Sequence, residues 1–266
     1  MREQITETGY DFAYAYDPNV PALKNGIFTN TTYEPSNLRS RVSYTLTRKL
    51  ATDNNYFTAT HYSYDIHGNV DKLVQDYRGL TSMENTGNPL KMITYDYDLI
   101  SGKVNAVHYQ AGFADEFHHR YTYDAENRLL AVETTRDGAI WERDAVYQYY
   151  PHGPLTRMEL GQQRVQGVDY AYTLQGWLKG VNGSATGASN FDMGQDGYGS
   201  GYNNVVARDV LGFALHYYDE TTEESDVWND YKPITGTSLF ASPGSAVGLA
   251  SLYNGNIAAM TVNLSA

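Results

Sequence analysis

The sequence predicts an all-β chain, an array of antiparallel β-hairpins joined edge to edge into one curved, continuous sheet. Three observations predict it. Tyrosine supplies 25 of the 266 residues, against 8 phenylalanines and 3 tryptophans, and 24 glycines accompany it, a composition that favours strands and turns. A short motif of the form Tyr-x-Tyr-Asp-x-x-Gly-x-(Leu/Val) recurs along the chain. No stretch carries a sustained apolar period of 3.6 residues, whereas period-two alternation is common, as in Val42-Ser-Tyr44-Thr-Leu46 and Val104-Asn-Ala-Val107-His-Tyr109.

The first clear copy of the motif is Tyr62-Ser-Tyr64-Asp65-Ile-His-Gly68-Asn-Val70. The second, Tyr95-Asp-Tyr97-Asp98-Leu-Ile-Ser-Gly102-Lys-Val104, carries one extra residue in its turn. The third is Tyr121-Thr-Tyr123-Asp124-Ala-Glu-Asn127-Arg128-Leu129. Then come Tyr147-Gln-Tyr149-Tyr150-Pro-His-Gly153-Pro-Leu155 and Tyr170-Ala-Tyr172-Thr-Leu-Gln-Gly176-Trp177-Leu178. Degenerate copies stand at Tyr14-Ala-Tyr16-Asp17 and His216-Tyr217-Tyr218-Asp219. The spacing of roughly 25 residues is that of a repeat architecture.

Each part of the unit has a physical reason. Tyr-x-Tyr at a period of two places both rings on one face of a strand. Tyrosine suits a half-wet sheet, since its ring packs while its hydroxyl reaches water or a partner. Asp65, Asp98 and Asp124 open a turn, where an aspartate carboxylate caps nearby backbone N–H groups. Gly68, Gly102, Gly153 and Gly176 fall where a hairpin loop needs a left-handed residue, and Asn127, the other residue at ease there, replaces glycine in the third copy. The Leu or Val two residues on starts the return strand.

Residues 1–181 therefore read as the hairpin array. Residues 182–204, with Gly194, Gly197, Gly199 and Gly201, read as a glycine-rich excursion, exposed and mobile. Residues 205–266 read as further degenerate repeats, with a second loop near Thr221–Asp226.

Composition excludes several classes. The formal charge is -12, the wrong sign for tracking phosphates, so no nucleic-acid partner is expected. Cysteine is absent, which removes disulfides, thiol catalysis and cysteine-ligated metals. No apolar run approaches the ~20 residues of a membrane helix, and Met1–Glu7 does not read as a signal peptide.

The repeated unit resembles the YD repeat of the Rhs family, which includes bacterial Rhs polymorphic toxins, the cocoon-forming subunits of Tc toxins and the shell of teneurins. Gly167–Val181 also resembles the segment that leads into the Rhs core region of the bacterial proteins. The resemblance covers about residues 10–260. It implies a β-strip that spirals into a hollow shell and, in toxin members, encloses an effector domain. It further implies a secreted or cell-surface location, and partners in the remainder of a parent shell and its effector. The chain is too short to close a cage, and Asp17-Pro18-Asn19-Val20 lacks the glycine of the family's self-cleavage motif.

Candidate sites are few. Asp115, Glu116, His118 and His119 gather carboxylates and histidines, but the default reading is a polar strand end. Asp192-Met-Gly-Gln-Asp196-Gly197 echoes a calcium loop, but its third and twelfth positions, where such a loop wants an oxygen ligand and a glutamate, are Gly194 and Asn203; a flexible glycine-rich turn is its default reading, with Asp192 and Asp196 as metal candidates. Phosphate loop and nucleophile elbow are both missing. The expectation is a non-catalytic wall segment without cofactor, self-associating through open sheet edges. A carbohydrate- or surface-binding adhesin module and a polysaccharide-acting enzyme are the alternatives.

Overall fold

The structure, a computed structural model, describes residues 4–14, 34–50, 52–53, 56–183, 192–198, 201–217, 231, 239–240, 252 and 254–264. The expected degenerate turns at Asp17 and Asp219 and the loop near Thr221–Asp226 lie outside these. The fold is all-β, a single sheet of fourteen strands whose hydrogen-bonded order follows the sequence from first to last. A one-turn helix at Thr81–Glu84 and a 3-10 turn at Tyr202–Val205 are the helical elements among the described residues.

The chain divides into two compact units, residues 1–121 with 134–141, and residues 122–133 with 142–266. The first is built mainly from β1 (Ile5–Tyr10), β2 (Val42–Arg48), β3 (Thr58–Tyr64), β4 (Val70–Asp76), β5 (Leu90–Tyr97), β6 (Val104–Tyr109) and β7 (Phe117–Tyr123). Neighbouring strands here pair antiparallel, β3 with β4 from Ala59↔Asp76 to Tyr64↔Val70 and β5 with β6 from Ile93↔Tyr109 to Tyr97↔Val104. The alternating pattern does what a period of two dictates: in β3, Ala59, His61 and Ser63 are buried on one face, while Tyr62 and Tyr64 share the other. The apolar core is a small cluster of Leu46, Tyr56 and Ala59, against which Tyr14 and Tyr44 pack.

The second unit is built mainly from β8 (Leu129–Thr135), β9 (Glu142–Tyr149), β10 (Leu155–Leu160), β11 (Gln166–Tyr172), β12 (Leu178–Val181), β13 (Leu211–His216) and β14 (Ala259–Leu264). Its core has two small clusters, Ala171, Ala214 and Phe240 in one, Leu215 and Tyr217 in the other. Among the described residues, buried polar side chains outnumber buried apolar ones. That is the wet sheet expected from tyrosine in place of phenylalanine.

One irregularity recurs. Tyr64 pairs with Val70 while Ser63 pairs with Lys72, so Asp71 is an extra residue in its strand. The same step leaves Asn105, Thr156 and Lys179 extra in β6, β10 and β12, each directly after the Val or Leu that opens the return strand. It is a β-bulge at one fixed position of the repeat.

Candidate functional site

The repeat turn is built as its residues dictate. The N–H groups of His67, Gly68 and Asn69 donate to Asp65 Oδ1 at 2.8, 2.7 and 2.8 Å. Ile100 and Ser101 donate to Asp98, and Glu126 and Arg128 to Asp124. The Ser101 N–H holds the Asp98 carboxyl below its usual range. In all five copies the residue after the second tyrosine closes the loop through its own N–H: Asp65 to the Asn69 carbonyl, Asp98 to Lys103, Asp124 to Arg128, Tyr150 to Pro154 and Thr173 to Trp177. Gly68, Gly102, Gly153 and Gly176 sit at φ 99°, 69°, 118° and 85°, and Asn127 at 63°.

The second tyrosine of the motif has a role that the motif alone does not reveal. Tyr64 Oη donates to the Val42 carbonyl at 2.8 Å, Tyr97 to Val70 at 2.9 Å, Tyr149 to Leu129 at 2.8 Å, and Tyr217 to Leu178 at 2.8 Å. Each acceptor is the first residue of the preceding hairpin's return strand. Two motif positions are thus joined across hairpins, the tyrosine of one and the Val or Leu of the one before. Arg128 caps Asp124 through Nε at 2.6 Å and lies over the Tyr149 ring at 4.6 Å. In the late degenerate copy the bond is made by Tyr217, whereas the motif's spacing marks Tyr218, which lies outside the described residues. In the fourth copy Tyr150 stands at the aspartate position, and its hydroxyl donates to the Tyr170 carbonyl at 2.9 Å.

The histidine–carboxylate group separates into two faces. His118 meets His108, Nδ1 to Nδ1 at 2.9 Å, and His108 Nε2 reaches Asp96 at 3.1 Å. His119 stacks on Tyr121, and Asp115 is taken by Lys91 and Asn88.

The glycine-rich segment departs from expectation. Among its described residues, Asn182, Asp192 and Asp196 are buried, while Gln195, Gly201, Tyr202 and Asn204 are exposed, so part of the segment packs into the second unit and part stands in solvent. The reason is a network centred on Arg157 of β10. Its guanidinium donates to Asp169 of β11, to Asp196 at 2.7 Å and to Glu159 at 3.0 Å. Arg164 donates to Glu159 at 2.8 Å, to Asn203 at 2.9 Å and to the Tyr202 carbonyl at 3.0 Å. Asn182 binds the Asp169 N–H at 2.8 Å and the Leu211 carbonyl at 3.0 Å. Two glycines leave room here: a Cβ on Gly167 would collide with the Arg157 guanidinium, and one on Gly194 with the Asp169 carboxylate.

Asp209, just before β13, completes the group. Burial pushes its carboxyl up to about 8 and that of Asp169 up to about 6, with neighbouring carboxylates adding to the shift in Asp209. Sequence reasoning missed Arg157 of β10, Asp169 of β11 and Asp209 before β13, which are far apart in the chain and share no motif. Among the described residues no three His, Asp or Glu side chains stand ready-assembled around a metal position.

No family model matches the sequence, and no curated protein matches it. Similarity appears among solved structures. The chain is similar to the Tc toxin assembly TcdB2-TccC3 without its hypervariable C-terminal region, at 14% identity and a TM-score of 0.44, over 68% of this chain and 8% of that one. It is similar at 13% identity and a TM-score of 0.41 to the Tc holotoxin pore of Photorhabdus luminescens, over 70% of this chain and 10% of that one. The chain thus spans about a tenth or less of the structures it matches.

Proposed function

We propose that the chain is a non-catalytic wall segment of a YD-repeat shell, and that the complete shell encloses and delivers a toxin domain from a secreted or cell-surface protein. One observation carries the reading. Tyr64, Tyr97, Tyr149 and Tyr217 are each bonded to the return strand of the hairpin before, and the strand order follows the sequence, so the sheet extends along the chain as a strip. A strip of this kind makes an impermeable wall by continuing, and it needs no reactive residue. Its partners in this reading are further repeats and the enclosed effector.

The test is to express the reading frame that surrounds this segment and image the product by electron cryomicroscopy, with limited proteolysis in parallel. A hollow β-shell with a protease-protected domain inside supports the proposal. An isolated, monomeric domain that binds glycans on an array, with no enclosing wall, replaces it with the adhesin reading.

A further inference from the structure

Asp209 is 1% exposed, and neither of its carboxylate oxygens has a hydrogen-bond partner. Asp192, Asp196 and Asp169 lie close enough for their charges to act on it. Asp192 gives Oδ1 to the Gln195 N–H at 2.9 Å, and Asp196 gives Oδ1 to Arg157 at 2.7 Å; the Oδ2 atom of each is buried without a partner. We propose that Asp192, Asp196 and Asp209 form a binding site for calcium, a hard divalent cation, inside the second unit.

Charge supports this first. Asp169, Asp192, Asp196, Asp209 and Glu159 are five buried carboxylates, and Arg157 and Arg164 are the two cations bonded among them. Arg157 is committed to Asp169, Asp196 and Glu159, and Arg164 to Glu159, Asn203 and Tyr202, so neither guanidinium is bonded to Asp209. Without a cation this excess is met by a proton, since burial pushes the Asp209 carboxyl up to about 8; a divalent cation would replace that proton, and the unsatisfied carboxylate oxygens supply its donors.

Ligand chemistry supplies the identity. The free donors are all carboxylate oxygens, which suit hard cations and not the transition metals that seek imidazole or thiolate. Calcium tolerates an irregular oxygen shell at 2.3–2.6 Å, whereas magnesium demands a near-ideal octahedron. The three carboxylates are not assembled into a metal-holding group in the structure. Binding therefore includes rotation of the Asp209 side chain toward the Asp192–Asp196 turn. The site stands independently of the shell reading.

The test uses the full chain, stripped with chelator and melted with and without about 10 mM calcium chloride, above the weakest calcium modules. Sodium chloride keeps ionic strength equal, so screening of the chain's net charge is not mistaken for binding. Wild type is expected to gain about 5 °C or more in Tm. Asp209→Asn is expected to lose that gain, while its calcium-free Tm stays close to wild type because Asn replaces a carboxyl that burial already keeps protonated near neutral pH. Absence of a calcium shift in wild type, or an equal shift in Asp209→Asn, overturns the site. A second measurement covers a variant that does not fold: tyrosine-sensitised terbium emission from wild type. Displacement of one terbium per chain by calcium supports the proposal, and emission indifferent to calcium overturns it.

Discussion

The hydroxyl of Tyr149 donates to the carbonyl of Leu129, 2.8 Å away, and so ties the strand entering one hairpin to the strand leaving the hairpin before it. Tyr64 with Val42, Tyr97 with Val70 and Tyr217 with Leu178 repeat the arrangement. Phenylalanine would fill the same space without the bond, which gives a reason for tyrosine's threefold excess over it.

Replacing Tyr64 by Phe removes the bond and leaves the ring. The expected loss is about 1 kcal/mol, the net worth of one hydrogen bond. Tyr64→Ala also removes a buried ring, and the loss rises to ~2–4 kcal/mol. Urea denaturation measures both. A Phe variant as stable as wild type would show that the hydroxyl contributes nothing.

Asn127 sits at φ 63° in a turn whose other copies carry glycine. Asn127→Gly is expected to be neutral or slightly stabilising. Asn127→Val forces a β-branched side chain into the left-handed region and should cost about 1–2 kcal/mol. Equal melting temperatures for the two variants would contradict the turn assignment.

His61 of β3 is buried 3.9 Å from Asp76, which Tyr56 and Arg78 also bond, with the Tyr14 ring beside it. Burial, opposed by Asp76 and assisted by Arg78, pushes its pKa from 6.5 down to about 4. The folded chain therefore favours neutral histidine. The stabilisation is complete above pH 6.5 and is lost as pH falls towards 4, about 3 kcal/mol in all. Asp169 and Asp209 have raised values, so their contribution runs with the opposite sign. The difference between wild type and His61→Gln across pH 7 to 4 isolates the histidine. A pH-independent difference would refute it.

The last strand presents Met260, Val262 and Leu264 at 53%, 50% and 69% exposure, an apolar row beside one open edge of the sheet. Net charge of -12 opposes association, and salt screens it. Sedimentation should show self-association rising with ionic strength, and Val262→Lys should suppress it. A strictly monomeric wild type at every salt concentration would disprove edge pairing.

Local chemistry made much of the fold legible. The positive φ of Gly68, Gly102, Gly153, Gly176 and Asn127 follows from turn geometry within a few residues, and the strands follow from period-two alternation. Bonds between repeats were less legible, because the partner of Tyr97 is a backbone carbonyl at Val70, a group every residue carries. The carboxylate network was hidden for a related reason. Arg157, Asp169, Asp192 and Asp209 come together only through strand pairing and a returning turn. Glycine at 194 reads as flexibility in isolation, whereas in the fold it marks the absence of room for a Cβ beside Asp169 Oδ2 and Arg157.

The bulge after Val70, Val104, Leu155 and Leu178 bears on how such a chain can change length. Adding or deleting one residue inside a strand turns every later side chain to the other face and parts the tyrosine from its acceptor. Adding or deleting a whole hairpin leaves each remaining tyrosine facing the opening residue of a return strand, with the bulge still beside it. Growth by duplication of complete units is therefore structurally silent, while single-residue drift is penalised at every repeat. A gene encoding this tract can be lengthened or shortened in steps of one hairpin while the contacts that recur between repeats keep their partners, and the length of the strip is set by the number of steps.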